Sequence, residues 1–258
     1  MTVYAGTIAG PYHVDRGQEN QDAHWFLSEK GFTVIAVADG AGSLPRSGTG
    51  AEIAVSTAVN ETLDDLIGGE SIDEAVRCGV LCARKSLTVR DDSDETGCTL
   101  ALAAFHENGG WAAATVGDAF VVITHEDGHH DTITSPKPTE YINITQLLTS
   151  KNIDITLLSG EDKIRAVSAA SDGLTGASLK DGGASDGFWD PVVSRAVNGD
   201  LDVDSLLEYM NEQDRIEDDT TLVVAVPGNV ASHEDVLNDS DSTDFDEQQA
   251  IENELLAA

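Results

Sequence analysis

The chain has 258 residues, and its 47 acidic residues against 14 basic ones give a formal net charge of -33 at pH 7. Such a surface repels nucleic acid. No apolar run approaches the roughly 20 residues that cross a bilayer, and residues 1–10 lack the pattern of a signal peptide. We therefore expect a soluble, cytoplasmic monomer that binds neither nucleic acid nor membrane.

The acidic excess also predicts adaptation to high salt. Repulsion among carboxylates acts over only about 3 Å at 1 M salt. The alternative, a disordered acidic chain, conflicts with the clear apolar periodicity along most of the sequence. We interpret the protein as a folded, halophilic one.

The first half of the chain predicts strands followed by two helices. Strands are expected at 4–8, 23–27 and 32–38, and the run Val34–Ala38 is typical of a strand buried on both faces. Apolar residues at helical spacing follow in 51–66 and 72–87.

The second half predicts a β-rich block, two more helices and a last strand. Strands are expected at 99–105, 111–116 and 120–124, with a hairpin formed by 153–158 and 164–170 around the turn 159–162. Helices near 191–197 and 203–213 precede a strand at 221–226. Hairpins favour antiparallel sheets, and paired helices favour packing on their outer faces. We predict an α+β fold, a four-layer α-β-β-α sandwich of two antiparallel sheets flanked by helix pairs.

The C-terminal end differs in composition from the rest. Beyond about Gly228 the chain is acidic, rich in Ser and Asp, and without Lys or Arg. We predict a domain over 1–228 and a mobile acidic tail over 229–258.

Five acidic turns lie at the ends of predicted strands. They contain Asp22, Asp39, Asp118, Asp172 and Asp218. One Asp-Gly pair is usually only a turn. Several carboxylates held together at a sheet edge, however, cannot all remain charged without a cation, and oxygen ligands alone select hard ions such as Mg²⁺ or Mn²⁺.

The ordered set of motifs resembles the metal-dependent protein phosphatases, also called protein phosphatase 2C. The resemblance covers roughly residues 6–226. Its motifs, in family order, are Asn20-Gln21-Asp22-Ala23, Val37-Ala38-Asp39-Gly40-Ala41-Gly42-Ser43, Glu95-Thr96-Gly97-Cys98-Thr99-Leu100, Val116-Gly117-Asp118, Ala170-Ser171-Asp172-Gly173 and Asp218-Asp219-Thr220-Thr221. The spacing Gly10-x-x-His13…Gly17-x-x-Asn20, with Glu140-Tyr141-Ile142-Asn143 later, resembles a prokaryotic branch of the family.

The resemblance implies a serine/threonine phosphatase acting on phosphoproteins with two Mg²⁺ or Mn²⁺ ions and a third in bacterial members. By resemblance, Asp39 bridges two ions, Asp172 and Asp218 complete the first site, and the Gly40 carbonyl belongs to the second, near Asp22. Asp118 resembles a ligand of the third ion. The implied chemistry is in-line attack on phosphorus by a bridging water whose pKa the ions lower.

Two departures from the family pattern stand out. Family members place a phosphate-binding Arg five residues before the first aspartate, whereas Arg16 lies six before Asp22, and Arg46 is a rival in the loop after Asp39. Many eukaryotic members place a proposed general acid, His, where this chain has Ala41. His13 is an alternative if the fold brings it near.

Other readings of the same residues remain open. A catalytically inactive relative could bind phosphoproteins as an adaptor, and a salt-adaptation protein would make the aspartate set a coincidence. The complete set of Asp39, Asp172 and Asp218 favours the enzyme, because a binding module has no chemical need for it.

Overall fold

The computed structural model describes residues 1–135 and 145–228. The strands in this part of the chain are β1 (Thr2–Ile8), β2 (Ala23–Glu29), β3 (Phe32–Ala38), β4 (Leu100–His106), β5 (Trp111–Val116), β6 (Phe120–His125), β7 (His130–Ile133), β8 (Thr156–Gly160), β9 (Ile164–Ala170), β10 (Leu179–Lys180), β11 (Gly183–Ala184) and β12 (Thr220–Val226). The helices are α1 (Pro11–Val14), α2 (Ser47–Gly68), α3 (Ile72–Thr88), α4 (Thr175–Ser178), α5 (Asp186–Asn198) and α6 (Val203–Glu212).

Two five-stranded antiparallel sheets form the centre of the fold. One has the order β1-β12-β9-β6-β7 and the other β2-β3-β4-β5-β8. Strands β10 and β11 form a separate small hairpin. In a buried sheet both faces of a strand are covered, and all of Val34–Ala38 is accordingly inaccessible to solvent.

Three apolar layers hold the sheets and helices together. One lies between α2, α3 and the second sheet, one lies between the two sheets, and one lies between the first sheet and α5 and α6. Successive residues of β3 belong to different layers, since Val34 and Ala36 face the helices whereas Ile35 and Val37 face the other sheet. The predicted four-layer α-β-β-α sandwich is confirmed.

The predicted hairpin of 153–158 with 164–170 is wrong. Strand β8 pairs with β5 in one sheet, and β9 pairs with β6 and β12 in the other. Residues 161–163 therefore carry the chain across the sandwich. Asp162 ties both sheets together there, because Trp111 Nε1 of β5 donates to its Oδ1 at 3.1 Å and His125 Nδ1 of β6 lies 2.7 Å from its Oδ2.

Two of the sequence-based predictions concern residues outside the described ranges, and a third concerns the absence of a membrane span. The acidic tail over 229–258 and the motif Glu140–Asn143 lie outside the described residues. Within the ranges 1–135 and 145–228, no helix combines the length and the apolar character needed to span a bilayer.

Candidate active site

The five acidic turns lie at one end of the sandwich. Because neighbouring strands are antiparallel, the start of β2 lies beside the end of β3, with Ala23 opposite Ala38. The start of β12 likewise lies near the end of β9, with Leu222 opposite Ala170. The β5–β6 connection, which contains Asp118, passes between the sheets at the same end. Residues far apart in sequence are thus brought to one end of the sandwich, and we call the group of Asp22, Asp39, Asp118, Asp172 and Asp218 at this end the acidic edge.

Three of the predicted carboxylates form a tight group. One oxygen from each of Asp39, Asp118 and Asp172 lies within 4.8 Å of the others. Asp39 is held by Thr99, since the Asp39 N–H donates to Thr99 Oγ1 at 3.0 Å and the Thr99 N–H donates to the Asp39 carbonyl at 2.8 Å. Such a group suits a cation, because three carboxylates this close repel one another.

Burial and mutual repulsion raise the pKa values of this group. Burial raises the pKa of Asp39 well above its ordinary value, and neighbouring negative charges add to the shift. Those charges belong to Asp22, Asp172, Asp118 and Asp218. Burial also raises the pKa of Asp22 to about 7, although the nearby hydroxyls of Ser171 and Thr221 oppose this shift. Each carboxylate therefore binds a proton, or another cation, more readily than a solvated one.

Several carboxylate oxygens at this site are buried without a hydrogen-bond partner. Among the described residues this holds for both oxygens of Asp22 and for Oδ1 of Asp118. Asp118 Oδ2 accepts a hydrogen bond of 2.6 Å from the Thr145 hydroxyl. An unpaired buried oxygen is costly, and a bound divalent ion would supply the missing partner.

Asp218 is placed differently from the other predicted ligands. The negative charge of Asp218 contributes to the raised pKa of Asp39, yet Asp218 is exposed. One of its carboxylate oxygens lies within 4.8 Å of a ring nitrogen of His13 and of an oxygen of Asp219. The sequence reasoning did not single out Asp219. This residue is buried and accepts backbone N–H groups of Gly10 at 2.8 Å and Gln21 at 2.7 Å. The consecutive aspartates Asp218-Asp219 were the available signal.

Two glycines allow the site segments to approach closely. A side chain at Gly40 would begin 2.7 Å from the Gln21 carbonyl oxygen and 2.8 Å from the Ser47 backbone carbon. A side chain at Gly173 would begin 2.3 Å from Thr220 Oγ1 and 2.4 Å from the Asp219 carbonyl oxygen. Gly40 and Gly173 therefore have to be glycines, because any side chain there would clash with the neighbouring segment. Their lack of a side chain allows the aspartate-bearing turns to lie close together.

The two candidate phosphate-binding arginines have different surroundings. Arg46 precedes α2 and lines a cavity of about 600 Å³ beside Asp22 and Gln21. Arg16 lies over the Tyr12 ring, with its guanidinium carbon 3.5 Å from the ring centroid, and donates to the Tyr12 carbonyl at 3.0 Å.

The pattern of one protein family extends over most of the chain. The family described as "Protein phosphatase 2C" matches residues 9–210. This range contains four of the five acidic turns and all of the second sheet. The chain belongs to the protein phosphatase 2C family.

Relatives of this protein phosphatase 2C chain are found among curated proteins and solved structures. "Serine/threonine-protein phosphatase 3" of Escherichia coli (strain K12) is 27% identical over 248 residues, covering 87% of this chain and 97% of the relative. A "bacterial serine phosphatase" crystal structure has a TM-score of 0.65 at 16% identity and covers 88% of this chain and 98% of the other. "RsbX in complex with magnesium" has a TM-score of 0.53 at 15% identity, covering 86% and 92%.

Membership of the protein phosphatase 2C family confirms the predicted activity. The protein is a metal-dependent serine/threonine phosphatase that acts on phosphoproteins. The described fold agrees, since two antiparallel sheets are present with a helix pair packed on the outer face of each.

Proposed function

We propose that the acidic edge holds the catalytic ions and that Mg²⁺ or Mn²⁺ occupies it in the cell. The proposed ligands are Asp22, Asp39, the Gly40 carbonyl, Asp118, Asp172 and Asp218. The group of Asp39, Asp118 and Asp172, with one oxygen of each within 4.8 Å of the others, is the observation that carries the proposal.

The donor atoms fit hard divalent ions. Every proposed ligand offers oxygen, and oxygen donors suit Mg²⁺ and Mn²⁺ better than softer metals. The buried oxygens of Asp22 and Asp118 without hydrogen-bond partners are further support, because an ion satisfies them. The similar RsbX is described in complex with magnesium. Asp39, Asp172 and Asp218 would hold one ion, Asp39 and the Gly40 carbonyl, near Asp22, would hold a second, and Asp118 would contribute to a third.

The protein's own residues supply positioning at this edge. When bound, the ions lower the pKa of a water and neutralise charge on the phosphoryl group. Thr99 fixes Asp39 through two hydrogen bonds, and Asp219 fixes Gln21 next to Asp22. We assign Arg46, at the cavity rim, to binding the substrate phosphate, with Arg16 as the rival for that role.

The substrate is a phosphoserine or phosphothreonine side chain presented by a protein. The E. coli relative is named as a serine/threonine-protein phosphatase, which supports this class. A net charge of -33 repels an anionic substrate at low salt, so we also propose that the enzyme works in a salt-rich cytoplasm, as a monomer.

Hydrolysis of an aryl phosphate tests the proposal against the inactive adaptor. We expect turnover in molar KCl with Mg²⁺ or Mn²⁺, its loss with chelator, and its recovery when the ion is restored. Asp172→Asn should remove turnover, whereas the matched exposed change Asp64→Asn should not. A folded wild-type protein that binds a phosphoserine peptide but hydrolyses neither the peptide nor the aryl phosphate would establish the adaptor instead.

We further propose that residues 1–228 form the catalytic domain and that 229–258 lie outside it. Strand β12 pairs with β1 up to Val226, opposite Thr2, and so completes the sheet before residue 229. A chain ending at Gly228 should therefore keep its melting temperature and its turnover of an aryl phosphate. Failure of this shortened chain to fold would place the boundary later.

A further inference from the structure

A second group of potential metal ligands lies beside the acidic edge and contains an imidazole. A nitrogen of His13 and one oxygen each of Asp218 and Asp219 lie within 4.8 Å of one another. This group differs chemically from Asp39, Asp118 and Asp172, which offer only oxygen. An imidazole nitrogen favours borderline transition metals over Mg²⁺.

The His13 ring lacks the hydrogen bonds that a buried imidazole normally makes. The residue is 3% exposed, and neither ring nitrogen has a hydrogen-bond partner among the described residues. Nδ1 lies within ion-pair distance of Asp219 Oδ2, at 2.8 Å, but this contact does not meet the geometry of a hydrogen bond. Burying an imidazole in this state is costly, and coordination to a cation would satisfy one of its nitrogens.

The surrounding backbone holds the three side chains in place. Asp219 Oδ1 and Oδ2 each accept a backbone N–H, from Gly10 and Gln21 respectively, which fixes the carboxylate plane. The backbone N–H of His13 donates to the Gly10 carbonyl at 3.0 Å. A side chain at Gly10 would begin 2.3 Å from the Asp218 carbonyl carbon, so these two segments are in direct contact.

Access and spacing both suit an incoming ion. Asp218 is exposed, whereas His13 and Asp219 are buried behind it. Ligands bound at about 2.1 Å to one Zn²⁺ lie roughly 3 to 3.5 Å apart, so small rotations of the His13 and Asp218 side chains about the fixed Asp219 carboxylate convert this group into a three-ligand site with an open position.

We propose that His13, Asp218 and Asp219 form a separate site for a borderline divalent cation such as Zn²⁺, and that this ion inhibits the phosphatase. Asp218 is common to this site and to the catalytic edge. An ion held by His13 and Asp219 therefore draws Asp218 away from Asp39. The inhibition rests on the proposed catalytic role of Asp218, whereas the binding site stands independently of it.

Two measurements on the full-length protein test the site. The first uses chelator-treated protein and follows Co²⁺ by its visible absorption and Zn²⁺ by calorimetry. Asp172→Asn removes a ligand of the other group without touching His13, and should retain one Zn²⁺ or Co²⁺ per chain. His13→Gln in that background should weaken this binding at least about tenfold, whereas His129→Gln, an exposed histidine elsewhere, should not.

The second measurement is inhibition of the wild-type enzyme by Zn²⁺ at fixed Mg²⁺. We expect inhibition that rising Mg²⁺ relieves, and a Zn²⁺ sensitivity reduced at least about tenfold by His13→Gln relative to that variant's own uninhibited rate. Circular dichroism establishes that the variants are folded, and His13→Asn replaces His13→Gln if the latter is not.

Three outcomes would count against the proposal. Co²⁺ spectra and Zn²⁺ affinity unaffected by either His13 change would overturn the binding site, and a Zn²⁺ sensitivity of turnover unchanged by His13→Gln would overturn the inhibition. Zn²⁺ binding that disappears with Asp172→Asn would assign the ion to the acidic edge instead. Absence of any Mg²⁺- or Mn²⁺-dependent turnover in the wild type would refute the proposed function, but the Zn²⁺ and Co²⁺ binding measurements would still test the site.

Discussion

The guanidinium of Arg46 forms an ion pair with the carboxylate of Asp92. Asp92 is shared, because Arg90 Nε lies 2.8 Å from its other oxygen. The backbone N–H of Arg46 also donates to the Glu95 carbonyl at 3.1 Å. Backbone and side chain therefore both position this arginine in the lining of the cavity. Arg16 instead stacks on Tyr12.

This difference predicts unequal effects of removing the two arginines. Arg46→Ala should raise KM for an aryl phosphate by about tenfold, as expected when a charge-assisted contact worth about 1.4 kcal/mol is lost. Arg16→Ala should change KM less than Arg46→Ala does. Steady-state kinetics at saturating metal measure both, and a larger effect at Arg16 would reverse the assignment.

Replacing Asp39 should abolish activity while stabilising the metal-free fold. Asp39→Asn removes a proposed shared ligand, so turnover should fall at least about 100-fold, or roughly 2.7 kcal/mol of barrier. The pKa of Asp39 is raised by burial and by neighbouring carboxylates, so its charge destabilises the folded state at neutral pH. The melting temperature in chelator should therefore rise by a few degrees. Asp64→Asn is the control, and retained activity of Asp39→Asn would refute the metal assignment.

Metal-free protein should lose stability as pH rises from about 4 to about 7. The folded-state pKa of Asp22 is raised from 3.8 to about 7, mainly by burial, so between these values the folded state binds more protons than the unfolded state. One such proton corresponds to about 1.4 kcal/mol per pH unit. Denaturant unfolding in chelator measures the slope.

Two variations test the origin of that slope. Asp22→Asn should make it shallower, and saturating Mg²⁺ should offset the loss at pH 7 by binding the ionised carboxylates. A stability that rises with pH in chelator, or a slope unchanged by Asp22→Asn, would contradict the prediction.

Folding should strengthen with salt if the acidic surface reflects a halophilic protein. The motivation is the net charge of -33. The melting temperature, measured at neutral pH with bound metal, should rise from about 0.1 to about 3 M KCl as screening weakens repulsion. The same series near pH 4.5, where part of the carboxylates are protonated, should show a smaller rise. A flat or falling melting temperature at neutral pH would end the halophilic interpretation.

Local pattern determined most of the secondary structure of this protein. The continuous apolar run Val34–Ala38 predicted a doubly buried strand, and helical spacing in 51–66 predicted α2, because both signals depend only on neighbouring residues. The position of each aspartate at a strand end predicted the acidic edge. That inference needed only antiparallel order, which places strand ends side by side.

The partners of these elements and side chains were decided by the tertiary structure. The short strand β8, Thr156–Gly160, has no alternation of apolar and polar residues that would assign it to one sheet, so its sequence could not show that it pairs with β5 rather than with β9. The placement of His13 beside Asp218 and Asp219 joins residues about 200 positions apart. The sequence likewise did not distinguish Arg46 from Arg16 as the phosphate-binding residue, whereas the structure shows Arg46 paired with Asp92 and Arg16 stacked on Tyr12. Contacts of this kind depend on how separate layers pack, and no short stretch of sequence carries that information.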